Sequence, residues 1–570
     1  MQKQIMLFLI SLSLFSFAVF SYAGEQQPNI VLILTDNQSY YELSSHGHKY
    51  VKTPRIDALA AEGVDFSNFY AAPYCSPSRG SLMTGRYALR AGIHNTIGGF
   101  CILNRKEKTV ADFLKKGGYQ TGIFGKWHLG HNYPYQPVNR GFDEVFVHRG
   151  GFIGQMQDYI GNSYIDGTYE HNGKAYKTKG HSTDILFSKA MEFIEASQRK
   201  PFFAFISTPA VHDFAAHSGA RERILKRGKI KYSSRDLDLF SGIENIDDNV
   251  GFILDQLERL GLTENTMVIV ATDQGMYGRG HPEGIKMNPA QGYDSRHHVF
   301  CMVRYPAWQG QFHKSNALAG MVDLMPTMLD AAGIPVPGNV DGRSLHPLLA
   351  GKTAWADDRK LIIQCPRGRN RKKNVNVSVK TKKWRLVNGS KLYDAQNDWL
   401  QKTDLAADYP EVVSGLKASY EEFWNSLPPV DAIRPLQVLS GPNVFETRLD
   451  TQCWYKGDQP FRQAQLARKL NGTWVVEVPE DGLYQFELRR YPKDAPRAIG
   501  ADRASLTIGS KSVSINIDSS DASANLELAL SQGTYDMKTT FNNNDKWGAY
   551  FVYVCHVAPS SNSVPRKLVK

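Results

Sequence analysis

Cysteine is scarce and scattered in this chain. The 570 residues hold six, at positions 75, 101, 301, 365, 453 and 555. They make no CxxC pair and no Cys/His spacing of the kind that binds zinc, so a zinc-finger site is excluded and no disulfide framework is legible. RNA-binding signatures and basic helices are missing too, which makes nucleic acid the weakest partner for a formal charge of +11. The excess of 67 Lys and Arg over 56 Asp and Glu suits an anionic surface or an acidic small substrate better. Internal repeats are absent, and beyond the first two dozen residues no apolar run is long enough to read as a membrane span.

What the chain does have begins with a leader. Lys3 precedes the apolar run IMLFLISLSLFSFAVF, and SYA ends at Ala23. A positive start, an apolar core and small residues at the end describe a signal peptide over residues 1–23, cleaved on export. The expected location is periplasmic or secreted, with no membrane anchor after cleavage. Hydrophobic content of 42% and charged content of 22% are those of a soluble globular protein. The length calls for two or three domains.

From Asn29 to about Pro335, short apolar runs (NIVLIL, TGIF, PFFAFIS, MVIVAT) alternate with helical patterns such as RIDALAAEG, TVADFLKKGG and NIDDNVGFILDQLERLG. Buried strands alternating with helices predict a mostly parallel sheet covered on both faces, an α/β domain over residues 24–344. Residues 345–431 read as a smaller α+β subdomain, with a hairpin in KWRLVNGSKLYD and a helix in PEVVSGLKASYEEFWNSL. After the break LPPVDAIRP, residues 432–570 alternate strand patterns with turns and read as a β-sandwich-like module. Its Trp454, Tyr455 and Trp547 read as packing residues of its core or its interface, with stacking on sugar as the alternative. The basic run Arg367–Lys373 reads as a solvated loop.

Ligands of an open α/β sheet sit beyond the carboxyl ends of its strands. There NIVLIL is followed by Asp36 and Asn37, TGIF by Lys126 and His128, PFFAFIS by His212, and MVIVAT by Asp273 and Gln274. One aspartate after a strand is an ordinary turn residue, but four strands delivering acids, amides and bases at one edge describe a site. Oxygen donors suit a hard cation, Ca²⁺ or Mg²⁺, rather than zinc. Arg79, Lys126, His128 and His212 suit a tetrahedral oxyanion, so the set fits hydrolysis of an oxyanion ester. The nucleophile stays open among Cys75, Ser76 and Ser78, near the start of a helix that favours anions.

The stretch CSPSRGSLMTGR, Cys75 to Arg86, resembles the C-x-P-x-R signature of the type I, formylglycine-dependent sulfatases. The resemblance runs in order through NIVLILTDNQ, GYQTGIFGKWHLG, RGFDEVF, ENTMVIVATDQG, VDLMPTMLDAAG and DGRSLHPLLAG, covering about residues 28–430. It implies an alkaline-phosphatase/sulfatase-like fold completed by the small C-terminal subdomain, with the β module as an addition. It also implies that Cys75 is oxidised to formylglycine by a formylglycine-generating or anaerobic maturase enzyme that reads Pro77 and Arg79. The hydrated aldehyde then supplies the attacking hydroxyl and releases sulfate by collapse of the diol. By position, Asp36, Asn37, Asp273, Gln274 and residue 75 hold the cation, normally Ca²⁺. Arg79 steadies the hydrate, His128 accepts its proton, and Lys126 and His212 hold the sulfate oxygens.

The sequence departs from that family pattern in two places. Asn37 stands where a second acid is usual, and Gln274 where Asn is common. In GIKMNPAQGYDSRHHVF, Asn288 and Pro289 fill the region of a frequent catalytic lysine, and Ser295 and Arg296 replace the usual glycines. Lys286 is the candidate replacement for substrate binding, with His298 and His281 as further candidates. The leading reading is an exported sulfatase acting on a sulfated carbohydrate, a polysaccharide from outside the cell or its oligosaccharides. An inactive glycan-binding relative and a phosphate-ester hydrolase on the same scaffold are the alternatives.

Overall fold

The computed structural model describes residues 27–212, 216–228, 233–276, 294–308, 313–351, 358–366, 371–429, 433–441 and 444–557. The leader 1–23 and residues 367–370 of the basic run lie outside these. So does the stretch 277–293, which includes Lys286, His281, Asn288 and Pro289. Among the described residues no helix is long and apolar enough to cross a membrane.

A ten-stranded sheet organises residues 29–315. Its centre is parallel, in the order Thr266–Thr272, Asn29–Thr35, Phe202–Ser207, Gln120–Lys126 and Glu144–His148. Antiparallel neighbours flank it, Cys301–Arg304 on one side and Thr168–His171 on the other. The expected mostly parallel sheet is therefore parallel where the chemistry sits and mixed toward its edges.

Asn29–Thr35 shows why both faces are covered. Ile30, Leu32 and Leu34 enter one apolar cluster, Val31 and Ile33 the other, and all five are fully buried. The first cluster packs helices Cys75–Thr84, Val110–Lys116 and Leu324–Ala331; the second packs Pro54–Glu62, Ser182–Ala196 and Ser234–Arg259. A strand buried on both sides reads as a continuous apolar run because neither set of alternating side chains meets water. Here a helix layer on each face keeps water out.

The small subdomain is a four-stranded antiparallel sheet, Leu361–Gln364, Val377–Lys380, Trp384–Val387 and Lys391–Asp394. Helix Pro410–Asn425 covers it through Leu416, Tyr420 and Phe423. Beyond it, a seven-stranded sheet and a four-stranded sheet share one core. Trp454 and Trp547 are 1% and 0% exposed within that core, and Tyr455 donates to Asp536. The two tryptophans are therefore packing residues and offer no open sugar platform, whereas Tyr455 is only half-buried. Cys101, Ile102, Tyr135 and Met156, all from the first 160 residues, belong to the same core. The module thus docks through apolar contact and through bonds such as Tyr135 Oη to Leu436 O at 2.7 Å and Gln452 O to the Gly99 amide at 2.7 Å.

Gly125 sits one residue before Lys126 at φ +115°, paired with Ser207 of the next strand. A Cβ there would lie 2.0 Å from the Ser207 carbonyl oxygen. Gly125→Ala is expected to destabilise the fold by more than the ~1–3 kcal/mol of backbone strain alone, because the strand pair must also part. Chemical denaturation followed by circular dichroism measures it.

Candidate active site

The strand ends converge as the parallel sheet requires. Asp36 and Asn37 follow Asn29–Thr35, Asp273 and Gln274 follow Thr266–Thr272, Lys126 closes Gln120–Lys126, and His212 lies past Phe202–Ser207. Cys75 opens helix Cys75–Thr84, every residue of which is buried. Arg79 is one turn further along, so helix geometry turns both side chains toward the same sheet edge.

Four charges meet there, all buried from solvent. Lys126 Nζ is 2.6 Å from Asp36 Oδ2, with both side chains 0% exposed. Arg79 Nε donates to Asp273 Oδ2 at 3.0 Å, and its Nη1 donates to the Lys126 carbonyl at 3.0 Å and to Ser207 Oγ at 2.5 Å. The Asn37 amide donates to Asp273 Oδ1 at 3.1 Å. Burial alone would raise the Asp36 carboxyl, but Lys126, His212 and Arg79 outweigh it and hold the group at about 2. Asp273 is pushed up, by burial and by the Asp36 charge, despite Arg79. Burial disfavours the Lys126 ammonium, and Asp36 more than restores it, so the group lies above its ordinary value.

Cys75 Sγ is 3.7 Å from Asp36 Oδ1. Oxygen atoms of Asp36 and Asp273 and the Cys75 sulfur all lie within 4.8 Å of one another. Two buried carboxylates form a hard donor set, and it fits Ca²⁺ or Mg²⁺ in chemistry and in compactness; the Asn37 carbonyl oxygen lies against Gln274 Nε2. Cys75 is a free cysteine. Burial pushes its thiol up to about 12, so it is protonated at neutral pH and is a poor nucleophile. Ser78 Oγ donates to the Ala72 carbonyl at 2.8 Å, which commits it to the helix start, and Ser76 is fully buried.

Gln274 turns the other end of its amide to the cluster. Its Nε2 lies 3.2 Å from Cys75 Sγ and against Asn37 Oδ1, while its Oε1 accepts from Arg296 Nη2 at 3.1 Å. Arg296 is held in turn over the Tyr74 ring, 4.5 Å from its centroid. A residue that the sequence marked only as a replaced glycine thus orients a member of the site. The mark was the family departure itself; the orientation needed coordinates.

His128 is half-buried, and its desolvation with the nearby Lys126 and Arg79 charges pushes its imidazole well below the ordinary value. It is neutral at pH 7. Its Nε2 faces the Thr96 carbonyl at 3.3 Å, so Nε2 carries the proton and the Nδ1 lone pair is the basic site. His212 stacks on Phe152, ring centroids 5.3 Å apart, and lies close enough to Asp36 to help hold that carboxyl down. His298 is engaged elsewhere: Nε2 donates to the Ser67 carbonyl at 2.8 Å and the ring stacks on Tyr40. That packing, not a ligand contact, accounts for its place.

The family model "Sulfatase" matches residues 28–334, more than half of the chain. The chain belongs to the sulfatase family. A second family model, "N-sulphoglucosamine sulphohydrolase, C-terminal", matches residues 291–424, so the two matches end short of the two-sheet module. Among relatives, human N-acetylgalactosamine-6-sulfatase is 32% identical over 359 residues, 57% of this chain and 66% of that protein. The ulvan-active sulfatase of Formosa agariphila is 30% identical over 363 residues, 59% of this chain and 68% of its own. The crystal structure of Ps i-CgsB shares the fold with a TM-score of 0.61 at 24% identity, covering 70% of this chain and 93% of that one.

Lys126→Met leaves the Asp36 carboxylate buried without its nearest cation, a change that costs about 3–5 kcal/mol. Because Asp36 is held below its unfolded value of 3.8, the wild-type contribution is present above that value and fades as pH falls through about 2. The deficit of the variant, measured by denaturant titration with chelator present, is therefore expected to be largest at neutral pH and to shrink in acid.

Proposed function

We propose that this chain is an exported sulfatase that hydrolyses sulfate esters of a carbohydrate, an extracellular sulfated polysaccharide or its oligosaccharides. It uses formylglycine made from Cys75 and a bound Ca²⁺. The observation that carries this reading is the buried quartet around Cys75: a thiol too basic to attack, set against hard oxygen donors and fixed cations. That environment is of little use to a thiol and well suited to an oxidised residue 75.

Formylglycine, once hydrated, supplies a hydroxyl nucleophile whose second hydroxyl drives release of sulfate. Asp36, Asp273 and the Asn37 carbonyl would hold the cation, which supplies Lewis-acid polarisation of a sulfate oxygen. Gln274, its carbonyl occupied by Arg296, instead offers its amide N–H to residue 75. Lys126 and His212 neutralise charge on the sulfate oxygens. The neutral His128 takes a proton at Nδ1, and Arg79 holds Asp273 against the Lys126 carbonyl. Preorganised charges in a dry site need no reorganisation as the transferred group becomes more negative.

The carbohydrate class rests on the relatives, two of which are named for the sugar or polysaccharide they act on, together with the leader and the appended module. The decisive experiment produces the chain with a formylglycine-generating enzyme and screens it against defined sulfated oligosaccharides. Sulfate release is expected, abolished by Cys75→Ala and by chelator, and restored by Ca²⁺ better than by Mg²⁺. The intact mass is expected to fall by roughly 18 Da as CH₂SH becomes CHO. Tight binding without turnover in protein of that mass, or faster turnover of phosphate esters, overturns the reading.

A further inference from the structure

A cavity of about 410 Å³ lies between the large sheet and the β module, and His128 is one of its lining residues. Its size is within the ~300–1,000 Å³ typical of small-molecule sites. One wall comes from the sulfatase fold, with His131, His148, Arg149 and Gln157. The other comes from the module, with Glu446, Thr447 and Arg448.

Three buried polar atoms on these walls have no hydrogen-bond partner among the described residues: Gln157 Oε1, His148 Nε2 and Arg448 Nε. Buried polar atoms are ordinarily satisfied, so three on one cavity point to a polar occupant. Their hydrogen-bonding senses are fixed. His148 Nδ1 faces the Arg149 carbonyl at 3.3 Å, which puts the proton on Nδ1 and leaves Nε2 an acceptor. Asp450 of the module accepts from His131 Nε2 at 2.6 Å, and His131 Nδ1 then accepts from Gln157 Nε2 at 3.4 Å. That chain across the interface turns Gln157 Oε1 outward as a second acceptor. Arg448 is anchored by Nη2 to the Gln157 carbonyl at 3.1 Å and lies over the Phe551 ring, leaving Nε a donor.

The cavity is close to neutral. Its lining Arg149 and Arg448 are matched in number by Glu170 and Glu446; Arg149 pairs with Glu170 at 3.0 Å and Glu446 with Lys493, and burial keeps the His148 imidazole uncharged. Two acceptors and a donor without net charge match hydroxyl groups, which give and take hydrogen bonds, and do not match a second sulfate. Gly150, at φ +79°, leaves the room: a Cβ there would meet Gln157 Oε1 at 2.5 Å.

Resting on the sulfatase reading above, we infer that this cavity is a subsite for a neutral sugar ring adjoining the sulfated one, so that the β module forms part of the oligosaccharide site. The test uses calcium-loaded full-length protein carrying Cys75→Ala, with binding measured by calorimetry. The probes are the shortest oligosaccharide turned over in the screen, the monosaccharide bearing its sulfate, and the neutral sugars lactose and cellobiose. The oligosaccharide is expected to bind about tenfold tighter than the monosaccharide, and Arg448→Gln or Gln157→Met, each checked for an unchanged near-ultraviolet spectrum, to erase that ratio. Equal affinity for the two lengths, or a ratio that survives both substitutions, overturns the inference while leaving the sulfatase reading intact. Saturable binding of lactose or cellobiose that both substitutions weaken, when the formylglycine-bearing protein with Cys75 intact turned over no sulfate ester in the screen, supports the cavity as a sugar site and sinks the sulfatase reading instead.

Discussion

Lys126 and Asp36 face each other at 2.6 Å with no exposure to solvent, and Arg79 closes on Asp273 beside them. Each of these charges is untenable in that place alone, since an isolated buried ion costs far more than the fold can supply. Together they are neutral, and the remaining architecture exists to keep them in register. Parallel pairing sets the carboxyl ends of Asn29–Thr35, Thr266–Thr272, Phe202–Ser207 and Gln120–Lys126 side by side. Apolar clusters on both faces exclude the water that would screen the charges. Gly125 lets the Lys126 strand approach Ser207, to which Arg79 is also tied.

The same balance explains how the site accommodates chemistry. A neutral quartet can take a divalent cation together with an anionic ester group, whereas a site with surplus charge of either sign would favour one and disfavour the other. The weakened basicity of His128 belongs to the same field: burial and neighbouring cations keep it free of a proton and ready to receive one. The module adds a different resource. Its Trp454 and Trp547 went into packing, and beside its apolar contacts with the sulfatase fold it presents Glu446 and Arg448 to the cavity.

The strands and their order of chemistry were legible because a strand buried on both faces is a continuous apolar run, and an acid or base just past it is visible by eye. The C-x-P-x-R stretch and GYQTGIFGKWHLG placed Cys75, Arg79, Lys126 and His128 in one family pattern, and the structure brings them together with Asp36, Asn37, Asp273 and Gln274. Other features were not legible. His298 was a candidate because it follows the stretch that departs from the family pattern, and only the Ser67 carbonyl and the Tyr40 ring show where its hydrogen bond and its face are spent. Arg296 was noticed as a departure without a role, since a guanidinium reaches far enough for its target to be anywhere within several residues' radius.

The amino-acid sequence by itself determined the layered α/β class, the strand-end residues and the family, because periodicity and local motif are properties of neighbouring positions. Tertiary structure decided which end of the Gln274 amide faces residue 75, that Trp454 and Trp547 are core, and that a polar cavity opens between the module and His128. Those outcomes depend on partners hundreds of positions apart, such as Asp450 on His131 and Arg448 on Gln157. Hydrogen-bond direction and burial are set by the partner met in space, and no local pattern encodes that partner.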